Sequence, residues 1–142
     1  MGHNIYHNLL IKVSPKEVFD AVSQPQHLDN WWTLKSSGKP EFGFEYNLNF
    51  TDAYDWYCEV SEVKIGESFF LKMTKADEDW NPTTFGFKFE KNENGTLVKF
   101  SHENWPVIND HFKTASFCWA MLLNGLKAYL EKGVIVPFSE RS

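Results

Sequence analysis

The stretch "DHFKTASFCWAMLLNGLKAYLEKG", residues 110–133, decides the fold. Apolar and small side chains recur in it at steps of three and four residues, the spacing of one face of an α-helix. The pattern predicts a helix of about six turns over 110–132, and Gly133 is the residue type expected just past its end. The predicted apolar face comprises Phe112, Ala115, Ser116, Trp119, Leu122, Leu123, Leu126 and Leu130.

The chain before this helix alternates with a period of two, which predicts strands with one apolar face. Five such segments cover 41–50, 54–63, 68–75, 83–92 and 92–104, and Asn94-Gly95 is a strong hairpin signal between the last two. The predicted inward residues are Phe42, Phe44, Tyr46, Leu48, Phe50, Trp56, Cys58, Val60, Phe69, Leu71, Met73, Phe85, Phe87, Phe89, Val98, Phe100 and His102.

The first forty residues predict one more strand and two short helices. The strand covers 4–13, and Ser14 as N-cap, Pro15 at the first helical position and Glu17 three residues after the cap start the first helix. The second helix covers 25–32, and 33–40 is a polar connection. No linker or repeat interrupts the chain, so one domain over 1–142 is expected.

These elements together constrain the architecture. A sheet with one apolar face must cover it, and the long helix is the only predicted element large enough to do so. The sequence predicts an α+β fold, in which a curved antiparallel sheet of about six strands wraps around the C-terminal helix. A curved sheet cannot touch a straight helix along its full width, so a pocket is expected between them.

Composition excludes several classes of protein. The formal net charge is −5 with scattered charges, which argues against nucleic acid or an anionic membrane surface as a partner. No window approaches the roughly 20 apolar residues of a membrane span. Cys58 and Cys118 stand apart without a metal-binding pattern, so reduced thiols in the cytoplasm are expected, with no metal and no cofactor. The high aromatic content, 17%, predicts either a rigid core or an aromatic-lined cavity.

Four segments in order carry a family resemblance, namely "SPKEVFDAV", "LDNWW", "GTLVKFSHENWP" and "FCWAMLLNGLKAYLEKG". They resemble the START-like (SRPBCC, Bet v 1-like) superfamily, and within it the family named after the homologue of the activator of heat-shock-protein ATPase. The resemblance covers essentially the whole chain and implies the helix-grip fold. Its members and relatives bind hydrophobic molecules, including lipids, act as cochaperone modules or in the stress response, or in distant branches catalyse cyclisation and hydrolysis. Cys118 replaces the glycine usual before Trp119, which is expected to narrow the opening.

The candidate ligand-binding residues are the inward rings and a few polar groups among them. Trp32 is predicted to point inward and Trp31 to lie at the mouth of the pocket. Tyr46, Cys58, His102 and Ser116 would orient an otherwise apolar ligand. Both an open pocket and a core filled by these rings remain possible. The full set is Trp31, Trp32, Phe44, Tyr46, Trp56, Cys58, Phe69, Phe85, Phe87, Phe100, His102, Phe112, Ser116, Trp119 and Leu123.

Three functions follow as hypotheses. The first is non-enzymatic binding of a small hydrophobic molecule, aromatic or lipid-like, in the cavity. The second is a cochaperone-like module that binds a chaperone ATPase through an exposed patch near Trp31 or Tyr57. The third is an enzyme of the cyclase or hydrolase type using His102 with Tyr46, because histidine titrates near neutral pH. Monomer and homodimer are both compatible with the sequence.

The other four histidines are not assigned to a site. His3 and His7 lie four residues apart on one face of the first strand, and both are expected at the surface. His27 and His111 are expected to cap helix ends or to face solvent.

Overall fold

The computed structural model describes residues 2–141. Seven antiparallel strands form one curved sheet in the order β1-β7-β6-β5-β4-β3-β2. The elements are β1 (His3–Ile11), α1 (Pro15–Ser23), α2 (Pro25–Trp31), β2 (Lys35–Ser37), β3 (Glu45–Thr51), β4 (Tyr54–Lys64), β5 (Ser68–Lys75), β6 (Thr84–Asn92), β7 (Gly95–Trp105), α3 (Asp110–Lys132) and a short 3₁₀ turn, Phe138–Glu140.

The predicted helix-grip fold is confirmed. Helix α3 contacts β1 and the two short helices, while α1 packs on β5, β6 and β7. One continuous core of buried apolar side chains lies between these helices and the sheet. The sequence predicted about six strands, and the structure has seven.

Local signals define the helix ends, as predicted at Ser14 and Gly133. The Ser14 hydroxyl accepts a hydrogen bond from the Glu17 amide (3.2 Å) at the start of α1. Asn109 Oδ1 accepts one from the Phe112 amide (2.9 Å) at the start of α3. Gly133 has a φ of 69° and ends α3 in the left-handed region, where glycine is favoured.

The residues between α2 and β3 differ from the prediction. The seventh strand, β2, lies within the predicted polar connection and pairs with β3 at the edge of the sheet. Strand β3 starts at Glu45 because the Phe44 amide bonds to the Glu41 carbonyl in a turn (3.0 Å), with Gly43 at a φ of +78°. Phe42 and Phe44 are therefore exposed. The assignment of Phe44 to the ligand cavity is wrong, because this turn breaks the alternation that would have pointed its ring inward.

Candidate ligand-binding pocket

Most of the space between the sheet and α3 is filled by side chains. Trp119 on α3 packs against Phe100 and Phe85, with ring centroids 4.4 Å and 5.6 Å away. The centre of the predicted cavity is therefore core. The predicted cavity residues that are buried in this way are Tyr46, Cys58, Phe69, Phe85, Phe87, Phe100, His102 and Leu123.

An open pocket of about 640 Å³ remains where the β3–β4 hairpin, the β5–β6 connection and α3 face one another. This volume lies in the range of small-molecule sites, about 300–1,000 Å³. Its wall includes three of the predicted site residues: Trp32, Trp56 and Trp119. The complete lining is Trp32, Phe50, Tyr54, Trp56, Asp77, Trp80, His111, Ala115, Cys118, Trp119 and Leu122.

Four tryptophans form a continuous wall in this pocket. Trp80 contacts Trp56 with ring centroids 4.7 Å apart and stacks on Trp119 at 6.1 Å. Trp32 contacts Trp119 at 5.1 Å and Phe50 at 5.4 Å. Contacts among large rings restrict their rotamers, so the wall is preorganised for a flat apolar molecule.

The turn that carries Trp80 is held by its own hydrogen bonds. Asp77 Oδ1 accepts from the Trp80 amide (2.8 Å), and Asn81 Oδ1 accepts from the Ala76 amide (2.6 Å). The Thr83 hydroxyl donates to the Trp80 carbonyl (2.7 Å). The position of the Trp80 ring is thus set by backbone contacts as well as by packing.

His102 lies beneath this wall and is fully buried. The Trp119 indole N–H donates to its Nδ1 (3.0 Å), and its Nε2 lies 2.8 Å from the Thr83 hydroxyl. Since an indole only donates and the Thr83 proton is used on a carbonyl, His102 carries its proton on Nε2 and donates to Thr83. Burial, with a smaller effect from His111, lowers the pKa of His102 to about 3. A neutral imidazole with both nitrogens occupied is a structural group.

The rim of the pocket is acidic. His111 Nδ1 lies 2.8 Å from Asp79 Oδ2, and its Nε2 lies 3.9 Å from Asp77 Oδ2. Hydrogen bonds from His111 and Asn109 lower the pKa of Asp79. Asp77 and His111 line the pocket, and Asp79 stands behind the imidazole.

The two adjacent tryptophans divide differently from the prediction. Trp31 is 3% exposed, donates its indole N–H to the Ala21 carbonyl (2.9 Å), and stacks on Trp32 at 6.0 Å. Placing Trp31 at the mouth was wrong, because the short helix turns its ring against α1. Trp31 lines a separate hollow of about 200 Å³ beside the second half of α3, and Trp32 lines the main pocket.

The predicted polar contacts point elsewhere. The Tyr46 hydroxyl donates to the Ser23 carbonyl (2.5 Å), and burial, then Cys58, raises its pKa. Burial, then Glu45, raises the pKa of the Cys58 thiol. Neither group, nor Ser116, is among the residues that line the main pocket.

Other side chains of the protein pack around Ser116 and the N-terminal half of α3. His7 Nε2 lies 3.0 Å from the Ser116 carbonyl and 3.4 Å from its hydroxyl. His7 is therefore half-buried, which corrects the expectation of a surface histidine. Phe112 packs edge-on against Trp105, with centroids 5.4 Å apart, and does not line the pocket.

A family model matches residues 12–131 of the chain, and its description is activator of Hsp90 ATPase homolog 1-like protein. The chain belongs to this family. Membership in this family indicates a protein of the binding or cochaperone type. None of the curated protein sequences compared with the chain matches it significantly.

Solved structures place this activator-homologue family member in the same fold. The solution structure of the Aha1 dimer from Colwellia psychrerythraea is 30% identical, with a TM-score of 0.84, covering 92% of this chain and 98% of that one. A protein from Staphylococcus saprophyticus is 22% identical, with a TM-score of 0.79 and coverages of 95% and 96%. A Mesorhizobium loti protein is 18% identical, with a TM-score of 0.80 and coverages of 94% and 100%.

Sequence reasoning missed most of the pocket in this family member. Trp80 lies in "ADEDWNP", outside every predicted strand and helix, and a tryptophan among acidic residues is a signal that such a turn covers apolar surface. Phe50 was predicted to face inward but was not assigned to the site. The other unassigned lining residues are Tyr54, Asp77, His111, Ala115, Cys118 and Leu122.

Across residues 2–141, no three His, Cys, Asp or Glu side chains are grouped so as to hold a metal ion. No helix in that range is long and apolar enough to cross a membrane.

Proposed function

We propose that the protein binds a small apolar molecule, aromatic or lipid-like, in the four-tryptophan pocket, and that it does so without catalysis. The observation that carries the proposal is the open volume of about 640 Å³ with Trp32, Trp56, Trp80 and Trp119 on its wall. An empty apolar wall exposed to water is unfavourable, and a ligand that covers it recovers that free energy.

The chemistry of His102 supports binding rather than catalysis. His102, the candidate general base, is buried, neutral and bonded through both ring nitrogens. Its one ring lone pair, on Nδ1, already accepts the hydrogen bond from the Trp119 indole and is not free to take a substrate proton. Tyr46, its proposed partner, is also buried and donates to the Ser23 carbonyl.

Titration with the neutral fluorescent dye N-phenylnaphthylamine tests the proposal. We expect saturable binding, together with a rise in melting temperature that follows RT ln(1 + [L]/Kd). Cys118→Phe places a ring in the pocket and should weaken binding by at least about tenfold, because added volume excludes the ligand. Thr114→Phe adds the same ring at an exposed position of α3 outside the pocket lining and serves as the matched control.

Two results would count against the pocket. The first is a folded Cys118→Phe protein that binds the dye as tightly as wild type. The second is a wild-type protein that shows neither saturation nor a thermal shift with the dye.

A second candidate function is binding to a chaperone ATPase, which the family and the likeness to the Colwellia protein favour. The exposed patch expected near Trp31 or Tyr57 is not the surface for it, because Trp31 is buried and Tyr57 half-buried. Phe117 and Met121, one turn apart on α3, are 66% and 45% exposed and form the better candidate.

The ATPase rate of an Hsp90-type chaperone with and without the protein tests this second function. If the wild-type protein stimulates the ATPase rate and Phe117→Ser does not, the second function is supported. If the wild-type protein leaves the ATPase rate unchanged, the second function is rejected. Sedimentation of the wild-type and Phe117→Ser proteins shows whether this face instead pairs two copies, since the Colwellia protein is a dimer.

The two free cysteines support the cytoplasm as the proposed location.

A further inference from the structure

We propose that the aromatic pocket selects ligands that carry a positive charge, so that the ligand is a cationic amphiphile such as an arylalkylamine. This inference rests on the proposed function and names the chemical class of its ligand. It is carried by the joint position of four indoles and one carboxylate on the same wall.

The charged groups at the rim favour a cation. Asp77 lines the pocket and Asp79 lies 2.8 Å from the His111 imidazole. The two carboxylates outnumber the one imidazole, so acidic groups predominate at the rim. Among the lining residues of the main pocket, which all lie in the described part of the chain, none is Lys or Arg.

Asp77 keeps one oxygen for a ligand. Its Oδ1 accepts from the Trp80 amide, while its Oδ2 lies 3.9 Å from His111 Nε2, which is beyond hydrogen-bond distance. Its side chain is 34% exposed, so that the carboxylate is accessible without being fully screened. A ligand ammonium at Oδ2 would make a charge-assisted hydrogen bond there.

The aromatic wall adds attraction for the same charge. Indole faces carry negative potential and attract cations within about 6 Å of the ring centroid, with tryptophan the strongest of the aromatic residues. Trp56 and Trp80 lie side by side in the wall next to Asp77. A ligand carboxylate would be repelled by the same indole faces and by the Asp77 carboxylate, because all of them carry negative charge or potential.

Arg141 is a basic residue close to the main pocket but is not among the residues that line it. It lines an adjoining space of about 290 Å³ that shares Trp32, Phe50 and Leu122 with the pocket. Its Nη1 donates to the Thr33 carbonyl (3.1 Å) and its Nε to the Val136 carbonyl (2.8 Å). These bonds hold the guanidinium against these two backbone carbonyls.

Three probes with one naphthyl body separate charge from apolar contact: naphthylethylamine, naphthylpropanoate and ethylnaphthalene. Calorimetric titration at neutral pH and low salt should show the amine binding at least about fivefold more tightly than the carboxylate. Raising the salt from about 20 mM to about 500 mM should reduce this ratio, because the Debye length falls to a few ångströms. The salt arm needs no variant.

Asp77→Asn should reduce the amine-to-carboxylate ratio to less than about twofold, since it removes the charge and keeps an oxygen for the Trp80 amide. Asp77→Ser is the second variant, because its hydroxyl can also cap the turn. Asp20→Asn is the matched control, as Asp20 lies on α1 and pairs with Lys16 away from the pocket. It should retain the wild-type ratio.

The outcomes distinguish the two proposals. Equal affinities for amine and carboxylate, or a tighter carboxylate, with measurable binding of ethylnaphthalene, would overturn the cation preference and leave the apolar pocket standing. Failure of all three probes to bind would overturn the pocket, and the cation preference with it. A salt-independent preference that survives in Asp77→Asn would also overturn the role of the carboxylate.

Discussion

Trp119 of α3 donates its indole N–H to Nδ1 of His102 on β7 across a distance of 3.0 Å. This bond links the long helix to β7, the strand next to the edge strand β1. It also determines the tautomer of His102, whose Nε2 proton points to Thr83 in the connection that carries Trp80. One buried imidazole thus joins α3, β7 and the turn that closes the pocket.

His102 should make stability depend on pH. Its folded pKa of about 3 lies below the unfolded value of 6.5, so the unfolded chain takes up a proton that the folded protein does not. The contribution of neutral His102 to the free energy of unfolding is complete above pH 6.5. It is lost as the pH falls towards about 3, by up to about 1.4 kcal/mol per pH unit. Urea unfolding at about pH 7 and pH 5 should show this slope in wild type and a smaller one in His102→Gln.

The wild-type protein alone provides a second check on this prediction. Nitrogen NMR at about pH 5 should show His102 neutral with its proton on Nε2. A protonated ring under those conditions, or an equal slope in His102→Gln, would contradict the assignment.

Tyr46→Phe should destabilise the fold by about 1–3 kcal/mol, because it leaves the Ser23 carbonyl without its buried donor. Tyr6→Phe is the matched control, since Tyr6 is 65% exposed and its hydroxyl accepts from Asn4 at the surface. Urea unfolding of both variants measures the difference. An equal loss of unfolding free energy in the two variants would mean that the buried hydrogen bond to Ser23 contributes no more than the exposed one.

Cys118 should be the reactive thiol of the protein. It is half-buried on the pocket wall, whereas Cys58 is fully buried and burial raises its pKa. N-ethylmaleimide should therefore label Cys118 first, and mass spectrometry of the peptides can locate the label. Saturation with N-phenylnaphthylamine should slow labelling of Cys118, while faster labelling of Cys58 in the native protein would contradict the packing described here.

Two glycine substitutions should have opposite signs. A Cβ at Gly125 on α3 meets open space, so Gly125→Ala should stabilise the protein by up to about 1 kcal/mol. A Cβ at Gly86 on β6 would clash with the Phe69 carbonyl and the Phe70 ring, so Gly86→Ala should destabilise by about 1–3 kcal/mol. Thermal unfolding of both variants gives the comparison, and a Gly86→Ala protein as stable as wild type would show that the Phe69 backbone and the Phe70 ring can both shift.

The elements followed from the sequence where local chemistry is decisive. Ser14, Asn94-Gly95 and Gly133 mark a helix start, a hairpin and a helix end through side-chain and backbone preferences that need no tertiary partner. The two-residue period likewise predicted that Tyr46 and Cys58 face inward, and both are fully buried. The period failed at Phe44, where the turn around Gly43 redirects the chain.

The amino-acid sequence by itself determined the order of all elements except β2 and the 3₁₀ turn, most of the apolar faces, and the family, because periodicity and end signals are local. Only the tertiary structure decided where the pocket lies. Inward-facing rings such as Phe85 and Phe100 fill the centre, since they reach across to Trp119. The open space lies instead beside Trp80. This residue belongs to a turn whose position over the sheet depends on contacts with residues distant in the chain. Side-chain volume and distance in three dimensions separate a filled core from a cavity, and no sequence spacing encodes either.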